Sequence, residues 1–144
     1  MRAVLSIGSN IGDRRAHLDS VVEHFRSRLV AVSSYVDTLP WGNVKQERFL
    51  NAVLIVDVDE SPEELLDECQ ELERRAHRER KEHWGPRTLD VDIVEIPGAA
   101  VHTERLTVPH PYAHERRFVL EPWLEIDPGA TLGGTNVAEL LEAL

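Results

Sequence analysis

Cysteine is almost missing from this chain of 144 residues. Cys69 stands alone, which excludes a disulfide framework and a cysteine-based zinc site and points to a reducing, cytoplasmic setting. Long apolar runs are missing as well. The longest unbroken aliphatic stretch, Ala52 to Val56, falls far short of the roughly 18 residues a membrane span needs. No charged-then-apolar leader is expected either, since Arg2 leads straight into a strand-like segment. Positive charge is in deficit: 16 Lys and Arg face 26 Asp and Glu, a formal net charge of −10. That balance argues against a general partner for nucleic acid or for an anionic membrane. The chain holds neither a Walker-type Gly-x-x-x-x-Gly-Lys-Ser/Thr run nor a kinase glycine loop, so those phosphate binders are excluded. What remains is ordinary for a globular protein, with 42% hydrophobic and 29% charged residues. One domain over residues 1–144 is expected, long enough to bury a real core.

The apolar pattern divides the chain into elements. Ala3 to Ile7 reads as a strand ended by the turn-rich Gly8-Ser9-Asn10-Ile11-Gly12. Asp13 is placed to cap a helix from Arg14 to about Leu29, along which Leu18, Val21, Val22, Phe25 and Leu29 recur at helical spacing. Val30 to Val36 and Phe49 to Val58 read as the second and third strands. Ser61-Pro62-Glu63-Glu64 supplies an N-cap, a first-turn proline and a capping-box acid for a second helix, whose stripe is Leu65, Leu66, Cys69, Leu72 and Ala76. Thr88 to Ile96 is the fourth strand, closed by Pro97-Gly98. The order β-α-β-β-α-β is that of the ferredoxin-like split unit. An α+β fold is therefore predicted, an antiparallel four-stranded sheet with two helices on one face. C-terminal additions complete it: a short strand around Leu106, a short helix from Phe118 to Leu124 and a terminal helix from Val137.

Charge is unevenly distributed along this pattern. Acids dominate from Asp57 to Glu73, and then Arg74, Arg75, Arg78, Arg80, Lys81 and Arg87 follow in close succession. Arg105, Arg116 and Arg117 continue the trend, with His110 and His114 nearby. Cations suit the negative end of a helix dipole, but these run past the helix into the next strand. An anionic small ligand gripped by guanidinium forks accounts for them better. His110 and His114 have the spacing of a helical zinc pair, yet Pro111 between them speaks against a helix.

The most informative segment is Leu89-Asp90-Val91-Asp92-Ile93. Strand alternation puts Asp90 and Asp92 on one face, about 7 Å apart, where like charges repel unless something compensates. A solvated edge strand is the bland explanation. A hard-cation site is the functional one, since two carboxylates at that separation can hold Mg²⁺ together with phosphate oxygens, and Arg87 just upstream suits a bridging polyphosphate. Aromatic residues make up only 6%, so their positions carry weight. Trp41, Phe49, Trp84 and Phe118, together with Asn51, could form a slot that stacks a flat heterocycle and reads its edge.

Six blocks in order give the chain a family resemblance: IGSNIGD from Ile7, SSYVDTLPWG from Ser33, RFLNAV from Arg48, WGPRTLDVDI from Trp84, ERLTVPHP from Glu104 and RRFVLEPWLEI from Arg116. In these it resembles the 6-hydroxymethyl-7,8-dihydropterin pyrophosphokinases of the folate pathway. The resemblance implies transfer of pyrophosphate from ATP to the pterin's hydroxymethyl group, with release of AMP. It implies that Asp90 and Asp92 hold two Mg²⁺ ions, and that Arg78 and Arg80 lie in a mobile loop closing over the phosphates, with Arg87 at the same centre. Gln70, Glu73, Arg105, Thr107, His110 and Arg116 match ATP-side positions. Phe49 and Phe118 match the aromatics that stack the pterin, with Asn51 and the segment from Thr38 through Trp41 to Gly42 at its edge.

The sequence departs from the family at His83, where Arg is common, and at Ala76-His77, where a glycine commonly precedes the loop arginines. No side chain stands out as a general base; Asp92, or a metal-polarised substrate oxygen, is the candidate for that part. A monomeric enzyme is expected. The competing expectations are a catalytically silent nucleotide- or pterin-binding module of the same fold, and an acidic interaction protein whose aspartates are merely wet. The Asp90/Asp92 pair with Arg87 favours the enzyme.

Overall fold

The computed structural model describes residues 1–38, 48–78 and 89–144, with Arg78 described by its helical backbone alone. The chain begins with strand β1 (Arg2–Ser9), buried from Ala3 onward. Gly8 and Ser9 belong to this strand rather than to the turn expected there, because both pair with Asn51 and Leu50 of the strand alongside. Helix α1 (Arg14–His24) follows, capped as predicted by Asp13, whose Oδ1 accepts from the Ala16 amide at 3.1 Å. It stops short of Leu29. Phe25 stays buried, and the chain tightens into a 3₁₀ turn at Arg26–Arg28 that aims Arg28 at Glu60 and Glu68.

The single second strand expected over Val30 to Val36 is two strands, β2 (Leu29–Val32) and β3 (Val36–Thr38). Ser33 makes the break. Its amide donates to the Val53 carbonyl, while its hydroxyl, in place of a backbone carbonyl, accepts from the Val53 amide, both at 2.9 Å. Strand β4 (Phe49–Asp57) pairs with both pieces. Helix α2 (Pro62–Arg78) opens on the predicted reciprocal box: the Ser61 amide donates to Glu64 Oε1 at 3.0 Å and the Glu64 amide to Ser61 Oγ at 3.2 Å. Strand β5 (Asp90–Glu95) lies within the predicted fourth strand, whose first residue, Thr88, is outside the described residues.

Four strands pair in the order β2-β4-β1-β5, every described pairing being antiparallel, and β3 extends the edge beside β4. One face of this sheet packs on α1 and α2 through Leu5, Leu54, Val56 and Ile93 against Leu18, Val21, Phe25, Leu65 and Leu72. The hairpin β6 (Val101–His102) and β7 (Thr107–Val108) adds Val101, Leu106 and Val108 to this same core. The other face is covered by α3 (Arg117–Ile126), the hairpin β8 (Thr131–Leu132) and β9 (Thr135–Asn136), and α4 (Val137–Glu142). The strand expected around Leu106 is β7, and β6 is the partner not anticipated for it. Helix α3 runs past the expected Leu124 because Trp123, 2% exposed, and Ile126 still face Val4, Val53 and Ile55. Burying each such large side chain contributes roughly 1.5–3 kcal/mol.

A bulge in β5 fixes how this second layer attaches. Val4 lies opposite Glu95 but Leu5 lies opposite Ile93, so Val94 and Glu95 both address the α3 side. Glu95 is buried, and its carboxylate accepts from the Ile96 amide at 3.0 Å and from the Gly133 amide at 2.8 Å. The β8–β9 turn is thereby fastened to the strand that carries the two aspartates.

Candidate active site

Sheet register, not sequence proximity, assembles the site. Gly8 lies between Asn51 on β4 and Asp90 on β5, and Ser6 lies between Val53 and Asp92. Strand alternation therefore turns Ser6, Gly8, Asn51, Asp90 and Asp92 to one face, while Val91 and Ile93 enter the core under α1 and α2. Above that face lies a cavity of about 440 Å³. Its walls bring together Thr38, Phe49, Asn51, Asp90, Asp92, Arg116 and Phe118, all singled out from the sequence.

Each of these is held by its element. Phe49 and Asn51 are two residues apart on β4 and share its face. Asn51 is buried, its Nδ2 donating to Thr38 Oγ1 at 2.7 Å, and β3 places that hydroxyl because Val36 pairs with Asn51 and Thr38 with Phe49. Across the cavity, Phe118 leaves the first turn of α3, and the Arg116 guanidinium stands 5.7 Å from its ring. Asp90 and Asp92 are half-buried. Two carboxylates on one strand face at a cavity wall are the hard oxygen donors Mg²⁺ takes, and a pair leaves coordination positions for phosphate and water. Asp90 and Asp92, the pair singled out from the sequence, both line this cavity, as does Glu115.

The remaining candidates sit elsewhere. Glu73 on α2 accepts from the Val91 amide at 3.0 Å, tying the helix to β5 between the two aspartates. Gln70, one turn earlier, accepts from Arg105 Nη2 at 3.3 Å, and Arg105 also pairs with Asp67 at 2.5 Å and Glu63 at 3.3 Å. Thr107 is exposed on β7. His110 donates its amide to the Val94 carbonyl at 2.8 Å, and its Nδ1 accepts from the Tyr112 amide at 3.1 Å. Burial, then the Arg116 charge, pulls the His110 imidazole below its ordinary pKa. Gln70, Glu73, Arg105, Thr107 and His110 thus do not line the cavity. Trp41, Arg80, Arg87 and the segment Glu79 to Trp84 with His83 lie outside the described residues, as does the Arg78 side chain.

Sequence reasoning missed five lining residues: Ser6, Ile7, Gly8, Tyr112 and Glu115. The small side chains Ser6 and Gly8, alternating with Leu5 and Ile7, were a usable signal for one open strand face. Tyr112 and Glu115 gave none, since a 3₁₀ turn at Ala113–Glu115 brings them in. No helix among the described residues is long and apolar enough to cross a membrane.

Comparison of the sequence with known proteins points to one family. The model of 7,8-dihydro-6-hydroxymethylpterin-pyrophosphokinase matches residues 4–128. A 2-amino-4-hydroxy-6-hydroxymethyldihydropteridine pyrophosphokinase of Methylorubrum extorquens is 44% identical over 147 residues, covering 99% of this chain and 93% of its own. Proteins of the same name are 46% identical in Mycobacterium bovis, covering 91% of this chain and 75% of theirs, and in Mycobacterium leprae, covering 99% and 81%. From Val4 to Pro128, then, the chain is a member of the 7,8-dihydro-6-hydroxymethylpterin-pyrophosphokinase family.

Proposed function

We propose that this cavity is where the chain carries out its family's reaction in folate biosynthesis, the transfer of pyrophosphate from ATP to the hydroxymethyl group of 6-hydroxymethyl-7,8-dihydropterin. The hydroxymethyl oxygen forms a bond to the β-phosphorus of ATP, the bond from that phosphorus to the α–β bridging oxygen breaks, and AMP leaves. One observation carries the reading. A single wall passes from a buried carboxamide suited to a heterocycle edge, across a bare glycine, to a pair of carboxylates suited to a metal-bound phosphate.

The pterin ring lies between Phe49 and Phe118, with Asn51, Thr38 and Trp41 at its edge. Asp90 and Asp92 would hold magnesium, expected as two ions, which would supply charge neutralisation for the triphosphate. Arg78, Arg80, Arg87 and Arg116 offset the remaining negative charge and orient the transferred group. Gln70 and Glu73 share one face of α2 along the outer edge of β5, and Arg105 joins them there. With Thr107 and His110 they are the ATP-side contacts. Asp92 is the candidate acceptor for the hydroxyl proton.

The antiparallel order β2-β4-β1-β5, with α1 and α2 on one face, supports a ferredoxin-like core. The test is direct: the protein is mixed with ATP, Mg²⁺ and the pterin alcohol, and the nucleotide products are separated. AMP is expected. ADP would indicate transfer of a single phosphoryl group, and the absence of both would leave a silent binding module.

A further inference from the structure

Gly8 was expected to punctuate a turn, yet it sits inside β1 with an ordinary extended backbone, and the glycines with positive φ among the described residues are Gly12, Gly98, Gly133 and Gly134. Its conformation therefore does not call for glycine. The space beside it does. A Cβ at this position would lie 2.8 Å from Asn51 Oδ1, closer than such atoms approach, with the Leu50 carbonyl 3.7 Å away. The amide cannot simply swing aside, because its Nδ2 is held by Thr38 Oγ1 at 2.7 Å and the side chain is 4% exposed. On the other flank of Gly8, register places Asp90.

We propose that Gly8 is a specificity-determining position for the pterin. Its bare Cα seats the Asn51 carboxamide with nitrogen toward Thr38 and oxygen over β1. It also leaves open the stretch of wall between that amide and Asp90, along which a flat ring can lie with its edge on Asn51 and its reacting substituent toward the carboxylates. Thr38 is the positioning residue that fixes which way the amide points. This rests on the pyrophosphokinase reading of the cavity and adds to it the residue that decides which ring fits.

The test is a double-mutant cycle, read by turnover and by calorimetric titration of the pterin alcohol in the presence of a non-hydrolysable ATP analogue. Gly8→Ala should raise the pterin KM and Kd about tenfold or more while the ATP KM stays within about twofold. In an Asn51→Ala background the same change should add less than about threefold, because the group it displaces is gone. Equal losses for both substrates, an unchanged pterin Kd, or losses that multiply in the cycle would overturn the proposal. A purely structural glycine predicts a different outcome, a lowered melting temperature with both substrates weakened together. Should Gly8→Ala fail to fold, Thr38→Val removes the acceptor for the amide. Selective pterin weakening of about threefold or more is then expected, and an unchanged pterin Kd overturns the proposal. The two readings fail separately. Pterin binding without AMP sinks the reaction and leaves Gly8 its role, whereas AMP formation with Gly8→Ala unaffected sinks the role alone.

Discussion

On the face under α1 and α2, the rows Leu5, Ile7, Ala52, Leu54, Val91 and Ile93 are apolar without interruption, and the helices seal them. On the opposite face the same strands begin apolar, with Val4, Val53, Ile55 and Val94 under α3, and then turn small and polar at Ser6, Gly8, Asn51, Asp92 and Asp90. The two faces share every strand and every backbone hydrogen bond. They differ only in what alternate residues carry, so a stable sheet and an open cavity are obtained from one set of strands. Half of one face is released from packing, and the other face and the α3 end must supply the cohesion that half does not.

The largest expected effect tests the open half. Asp92→Asn should lower kcat by about 10³-fold, equivalent to roughly 4 kcal/mol of transition-state stabilisation, with the thermal midpoint held within a few degrees. A loss within about threefold at saturating Mg²⁺ would remove Asp92 from both of its proposed roles. Next comes the sealed face. Leu54→Ala, at a fully buried position, should cost about 2–5 kcal/mol in urea unfolding while the pterin KM of the folded fraction stays unchanged. A matching rise in KM would show that the two faces are mechanically coupled and that the contrast between them is too sharp.

The smallest effect lies at the rim of the sealed layer, where Glu68 accepts from Arg28 Nη2 at 2.7 Å and lies 2.6 Å from His24 Nε2. Burial pushes the Glu68 carboxyl up, but the bonds from Arg28 and His24 together outweigh it and hold its pKa below the ordinary value. A carboxyl with a depressed folded pKa stabilises the fold above its unfolded pKa, about 4.3, and that stability is lost as pH falls through the folded value. Glu68→Gln should thus cost about 1–2 kcal/mol at neutral pH and flatten the acid limb of stability below about pH 4, as measured by urea melts across pH. An acid limb identical to wild type would assign the acid sensitivity elsewhere.

The parts of the molecule that were legible in advance are those whose cause is local. Asp13 and the Ser61–Glu64 box declare two helix starts within four residues, and the alternation of Asp90 and Asp92 with Val91 places both acids on one face without knowledge of any neighbour. What stayed hidden depends on partners distant in the chain. The split between β2 and β3 is decided by the Ser33 hydroxyl meeting Val53, the fastening of α2 to β5 by Glu73 meeting the Val91 amide, and the importance of Gly8 by register against Asn51. A glycine between an isoleucine and a serine reads as a turn until its neighbour across the sheet is known.

One cation joins the two ends of the stretch 39–47. Arg14 Nη1, at the start of α1, donates to Asp37 Oδ1 at 2.8 Å and to the Arg48 carbonyl at 2.5 Å, while Thr38 pairs with Phe49. Departure and return are thus anchored to a third element, and the entropy of closing the intervening connection grows only slowly with its length. The strands that carry Thr38 and Phe49 are thereby held in register by α1 itself, independently of whatever sequence joins them.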